Sequence, residues 1–310
     1  MRAGVLLFAL GLGDKAMRYI KGIVSAALMG LLAPNAFAPD AFAGAWTQEK
    51  GKGLIISGSS INRADLAFDS ESKLRTPVDF EKLDSTFYLE YGVSDKLTLV
   101  GNTALQDVSY TSSEGPQLYS GFATSKLGLR YGFDSGSPWV FAVQPSLVIP
   151  AGGEAVPDGD LGIGGFGAEI RLLAGRALTV GNRPGFFNAE AAFDQRSDGA
   201  PRQITADMTL GIQWAKHVQI IGQGFYRHTN DARFEGDAIL ANESLKLQAS
   251  VVVDLPKLRR KKKKAGDDEA QEIPVNPART TSLQIGVFQT VAGRNIVREQ
   301  GVMMTLWNKF

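Results

Sequence analysis

The chain has 310 residues, and its 33 Lys and Arg against 32 Asp and Glu leave a formal net charge of +1. That balance provides no global field to attract a polyanion, so no nucleic-acid partner is expected. The absence of cysteine excludes a disulfide framework and a thiolate metal site, and 35 glycines against 13 prolines suit β architecture better than a helix bundle.

Residues 1–43 are expected to be a secretory signal peptide rather than part of the fold. Arg18 and Lys21 precede an apolar core from Ile23 to Leu32, and Ala41-Phe42-Ala43 places small residues in an A-x-A arrangement. Cleavage after Ala38 would put Pro39 at the first mature position, so Gly44 is the expected mature start. Residues 1–16 form a second short apolar stretch, either a start codon placed too early or the front of a longer signal. The apolar core is interrupted before the ~20 residues a spanning helix needs.

From residue 44 onward the chain alternates apolar and polar side chains at a period of two, which a strand sorts onto two faces and a helix would smear around its axis. In residues 203–214 Ile204, Ala206, Met208, Leu210, Ile212 and Trp214 point one way. Gln203, Thr205, Asp207, Thr209 and Gln213 point the other. The same split sets Leu83, Phe87, Leu89 and Tyr91 against Lys82, Asp84, Thr86, Tyr88 and Glu90, and Leu127, Leu129, Tyr131 and Phe133 against Thr124, Lys126 and Arg130. Continued along the chain, this reading predicts about twelve strands, near residues 52–61, 80–91, 96–107, 120–133, 139–149, 163–173, 186–195, 203–214, 217–228, 243–253, 281–291 and 298–310.

Each segment is close to the ~9–11 residues a tilted strand needs to cross a bilayer. Short connections alternate with longer polar ones at 62–79, 108–119, 150–162 and 229–242. The expected fold class is therefore all-β: an up-and-down antiparallel transmembrane β-barrel over residues 44–310, in the cell outer membrane with its short turns in the periplasm. A soluble β-sandwich also alternates, but it would turn mid-strand charges of both signs to solvent, whereas a barrel can hold them in its lumen. Tyr91, Tyr131, Phe133, Trp139, Trp214 and Trp307 lie near predicted strand ends, where interfacial girdles belong.

The chain closes on "MMTLWNKF". Counting back from Phe310 in steps of two gives Asn308, Leu306, Met304 and Val302 on one face and leaves Trp307 on the other. This strand resembles the carboxy-terminal strand of bacterial outer-membrane proteins. The resemblance implies that Phe310 is an assembly signal read by the barrel-assembly machinery, with outer-membrane lipid and lipopolysaccharide as surroundings.

"AGAWTQEKGKGLIISG" from Ala43 to Gly58, with "FYLEYGVSDKLTLVGN" from Phe87 to Asn102, resembles the start of XagA-like outer-membrane proteins of proteobacteria, and is similar to the barrels named after meta-pathway phenol degradation. The likeness covers the first two hairpins and implies an outer-membrane location with transport or envelope-polysaccharide roles. It carries over no catalytic residue.

The strongest charge feature is the connection over 254–280, where Arg259, Arg260, Lys261, Lys262, Lys263 and Lys264 run consecutively. It is either a solvated linker, since Asp267, Asp268, Glu269 and Glu272 can neutralise it, or a tether to a periplasmic partner. His217 and His228 fall at opposite ends of one predicted strand and cannot share a site. No nucleophile elbow, metal spacing or cofactor motif is visible, and "GIGGFG" at 162–167 leads into a strand rather than a helix.

What remains is the lumen, where Lys82, Asp84, Glu90, Lys126, Arg130, Glu169, Arg171, Glu190, Asp194 and Asp207 are the expected inward charges. In a plugged barrel they would pair and only stabilise; in a pore, opposed acidic and basic walls would orient a solute. The expectation is a narrow passive channel for small polar or amphipathic solutes, not an enzyme. A structural or secretion-partner barrel for surface polysaccharide, and more distantly a lipid-modifying enzyme, are the alternatives.

Overall fold

The computed structural model describes residues 44–112, 115–133, 135–150, 165–197, 199–234, 237–239, 241–256 and 280–310. The expected signal peptide and the basic run from Arg259 to Lys264 lie outside the described residues. Every described element is a strand. In chain order they are β1 (Gly53–Phe68), β2 (Leu74–Ser94), β3 (Leu97–Ser112), β4 (Gly115–Phe122), β5 (Ser125–Phe133), β6 (Trp139–Ile149), β7 (Gly167–Val180) and β8 (Arg183–Arg196). There follow β9 (Gln203–Ala215), β10 (Val218–Thr229), the short β11 (Ala232–Phe234) and β12 (Asp237–Ile239), β13 (Asn242–Asp254), β14 (Thr280–Arg294), β15 (Ile296–Val297) and β16 (Gln300–Lys309).

Neighbouring strands pair antiparallel all the way round, and β1 closes the circle by pairing β2 on one side and β16 on the other. β4 and β5 make one stave, broken at Ala123 and Thr124 and paired throughout with β3. β15 and β16 make another, both paired with β1. With the small β11–β12 hairpin standing apart, the wall is a closed barrel of 12 strands. Among the described residues every stave but the β4 segment, which pairs only with β3, and the short β15, which pairs only with β1, is paired on both sides, as a bilayer requires where an unsatisfied backbone group costs several kcal/mol.

The two faces follow from the period of two. On β5, Leu127, Leu129, Tyr131 and Phe133 are each more than 40% exposed, whereas Arg130 between them is 2% exposed. Leu83, Phe87, Ile170, Leu172, Leu210, Ile285, Val287, Val302 and Met304 continue an exposed apolar band around the outside. The tight turns at 95–96, 181–182 and 216–217 share one end, which in such barrels is periplasmic. The 255–279 connection leaves β13 and returns to β14 at this same end.

Several boundaries differ from the sequence reading. The expected loop at 62–79 is mostly wall: β1 runs to Phe68, β2 starts at Leu74, and only a tight turn joins them. Likewise, 108–112 belong to β3 and 115–119 to β4. The strand expected at 163–173 lies later, as β7 over Gly167–Val180. For the extracellular ends of β1 to β4 the reason is common: past the lipid belt both faces meet water, so the hydrogen-bonded ladder continues while the apolar alternation fades. The β1–β2 turn is held by Asp69, whose Oδ1 accepts the backbone N–H groups of Glu71 (2.8 Å) and Lys73 (2.9 Å). The Lys73 N–H, then that of Glu71 and the Arg75 guanidinium, hold the Asp69 carboxyl below its usual value, against an opposing desolvation.

Candidate functional site

Ahead of β1, residues 44–51 cross the barrel interior at the periplasmic end instead of leaving the wall. The Ala45 N–H donates to Asn188 Oδ1 on β8 (2.9 Å), and the Gln48 N–H donates to Thr98 Oγ1 on β3 (2.8 Å). β8 and β3 are separated by three staves, so this strap spans the lumen. Gln48 Nε2 donates to Glu90 Oε2 (2.6 Å), and Asp95 in the β2–β3 turn accepts from Thr47 Oγ1 (2.7 Å) and the Lys50 N–H (3.0 Å). Trp46 lies edge-on to Phe186, with ring centroids 6.2 Å apart. It also covers Gly175, where a Cβ would stand 2.7 Å from the indole, so only glycine admits the strap there.

All ten charges expected in the lumen have their side chains turned inward, in three connected groups. The first pairs Arg130 with Glu90, Nη1 to Oε1 at 2.7 Å, with side-chain exposures of 3% and 0%. Arg130 also donates from Nη1 to the Trp46 carbonyl (3.2 Å), from Nη2 to the Tyr88 hydroxyl (3.0 Å) and from Nε to Gln144 Oε1 (3.0 Å). The wall and the strap are thus bound through one guanidinium.

The second group spreads over β5, β7, β8 and β9. Arg171 reaches Glu190 (2.7 Å), Asp207 (3.1 Å) and Glu169 (3.2 Å). Lys126 reaches Glu169 (2.5 Å) and Asp194 (3.5 Å), and Arg196 meets Asp194 (3.4 Å). In the third group Lys82 lies 3.2 Å from Glu299 and 3.7 Å from Asp84, and Lys246 lies 2.6 Å from Glu299. Asp84 further accepts from Asn62 (3.0 Å) and Gln106 (2.8 Å).

The signs therefore alternate along the wall instead of segregating into an acidic side and a basic side. Sequence reasoning did not single out Lys246, Arg196, Glu299 or the strap. Counting back from Phe310 does put Glu299 on the inner face, but it sits just ahead of β16, beside a short break in the ladder, and its partners are set by cross-strand register. Trp307 is a correction: it is not a girdle residue, because its Nε1 donates inward to Gln284 Oε1 (3.0 Å) and Thr305 Oγ1 (2.9 Å).

Between the second and third groups lies a cavity of about 350 Å³, bordered by Lys126, Arg171, Asp207, Lys246, Glu299 and Val297. Towards the extracellular mouth the β1–β3 side of the interior turns apolar, with Ala64, Phe80 and Val108 buried against Val78, Tyr110 and Val297. From that mouth inward an apolar wall gives way to paired charges. His217 and His228 stand at opposite ends of β10, and among the described residues no three His, Cys, Asp or Glu side chains are grouped to hold a metal ion.

No protein-family model matches the chain, and no curated protein matches it. Among solved structures it is similar to the COG4313 outer membrane channel from Pseudomonas putida F1, with a TM-score of 0.57 at 14% identity over 89% of this chain and 100% of that one. The fold is that of an outer-membrane β-barrel. A looser likeness, with a TM-score of 0.34 and 9% identity over 88% of this chain and 89% of the other, links it to the Pseudomonas putida toluene transporter TodX. The exposed apolar band agrees with residence in that membrane.

Proposed function

We propose that this barrel is a narrow outer-membrane channel through which small polar or amphipathic solutes diffuse, constricted at its periplasmic end by the strap over residues 44–51. The observation that supports this best is the lumen itself: a cavity of about 350 Å³ enclosed by paired charges and reached past an apolar mouth. A lumen filled only for stability would have no need of a graded interior. Charges that are already paired offer little net field to a passing ion, so the channel should discriminate weakly between cations and anions. The narrower kinship to XagA-like and meta-pathway barrels is part of this proposal and is supported by residues 43–58 and 87–102.

The test is single-channel recording of the mature protein in planar bilayers. Wild type should give small, steady currents with a reversal potential near zero across a salt gradient. Trp46→Ala, which removes the largest side chain of the strap, should raise the conductance severalfold. A barrel that stays silent in both forms, while running as a folded species on gels, would overturn the channel reading.

A further inference from the structure

The outer face of the barrel carries a recess that the transport reading does not use. One cross-strand row runs from Trp139 on β6 through Arg176, Phe187, Leu210, Gly222, Ala249, Val287 and Val302 to Ile61 on β1, each residue paired with the next in register. Because barrel strands tilt, such a row climbs obliquely across the wall, here away from the periplasmic turns. Its middle lacks bulk. Gly222 has nothing within 4 Å of where a Cβ would be, and Gly224 lies beside it on the same face. The consequence is an outward-open apolar groove of about 1320 Å³, bordered by Leu210, Leu247, Val287 and Val302.

The lower end of the groove is cationic. Phe187 and Val180 border it, and they are the register partners of Arg176 and Arg183. Arg183 lies 4.0 Å over the Trp214 ring and donates to the Trp214 carbonyl, while Arg176 lies 5.6 Å from the Trp139 ring. Neither arginine forms an ion pair with a carboxylate among the described residues. Trp139 and Trp214 stand at the strand ends where aromatic belts mark the headgroup level. Two arginines laid on indoles at that depth, free of internal counter-ions, present their charge to the headgroup region, where each cation is worth a substantial attraction to an anionic lipid.

We propose that this groove is a binding site for an anionic glycerophospholipid of the periplasmic leaflet, with its phosphate drawn to the cationic lower end marked by Arg183, Arg176 adding positive charge on the neighbouring stave, and an acyl chain lying along the recess past Gly222. The leaflet follows from the end of the barrel at which the arginines lie. The apolar recess holds one chain apart from bulk lipid, and the arginines select the charge.

Native mass spectrometry of the detergent-solubilised full-length mature protein, titrated with phosphatidylglycerol, tests this. Wild type should retain one lipid through detergent exchange. Arg176→Gln/Arg183→Gln should weaken retention by about tenfold or more, the loss of two interfacial cations. Gly222→Leu/Gly224→Leu should weaken it too, by filling the recess while keeping both arginines. The glycine pair keeps the test decisive if the arginine variant folds poorly. Equal retention in wild type and variants, no lipid bound to wild type, or lipopolysaccharide retained in place of phosphatidylglycerol would each overturn the proposal.

Discussion

Arg130 shows how much can depend on one side chain. Its guanidinium uses Nε, Nη1 and Nη2 on separate partners, which a lysine ammonium on a flexible stem cannot reproduce. Removing it leaves Glu90 wholly buried, with Gln48 and Tyr88 as remaining donors. An uncompensated buried charge is costly, so Arg130→Met should destabilise the barrel by about 3–5 kcal/mol, read as a lower urea midpoint for unfolding from lipid vesicles. The double variant Glu90→Gln/Arg130→Met removes both charges and should recover most of that loss. Strict additivity of the two single effects would mean that the pair is not coupled, contrary to the 2.7 Å contact. Both variants also lose the donor to the Trp46 carbonyl, so the strap should loosen in each.

At the scale of the element, β9 offers the cleanest contrast between faces. Leu210 is 43% exposed on the outer band, while the adjacent Thr209 accepts from Gln223 Nε2 at 3.3 Å inside. Leu210→Arg should therefore cost about 2–4 kcal/mol near the bilayer midplane. Thr209→Arg should cost much less, because its charge enters a polar interior; equal losses in the same vesicle assay would show that the phase is wrong. This face assignment was legible in the sequence because lipid on one side and polar lumen on the other enforce the period of two. It fades in the upper parts of β1 and β2, where water bathes both faces, and there the strand ends were misplaced. The ten lumen charges were legible for the same reason, but their pairing was not. Which acid meets which base depends on the stagger between strands, as with Lys126 and Glu169, 43 positions apart in sequence. The strap left no periodic trace, because it joins a strand only at its end, through the Gly51 N–H to the Gly92 carbonyl, and its other contacts are with residues such as Asn188 and Thr98, distant in the chain.

At the scale of the whole molecule, the decisive event is closure, since a barrel short of one seam exposes two strand edges to lipid. The seam runs between β1 and β16, from Leu54 opposite Lys309 to Arg63 opposite Gln300. It is finished by Phe310, whose N–H donates to the Gly53 carbonyl (3.0 Å) and whose carbonyl accepts from the Gly53 N–H (2.9 Å). We propose that Phe310 is also the residue by which assembly is initiated. Its outward neighbours Leu306, Met304 and Val302 are 40%, 55% and 53% exposed, so the outer face of β16 is an unbroken apolar edge up to this ring, apart from Asn308. Deleting Phe310 removes the last pair of the seam and an aromatic side chain at the interface, yet leaves every other stave its partner. Insertion should therefore suffer more than the stability of those barrels that do form. The expected outcome is less protein in the outer membrane and more degradation in the periplasm, with the surviving fraction showing normal heat-modifiable mobility and Phe310→Tyr behaving as wild type. Trp307→Phe is the contrasting variant: it keeps a ring but loses the hydrogen bonds to Gln284 and Thr305, so it should weaken the folded barrel without lowering its delivery. Unchanged folded yield after deletion of Phe310 would place the start of assembly elsewhere in the chain.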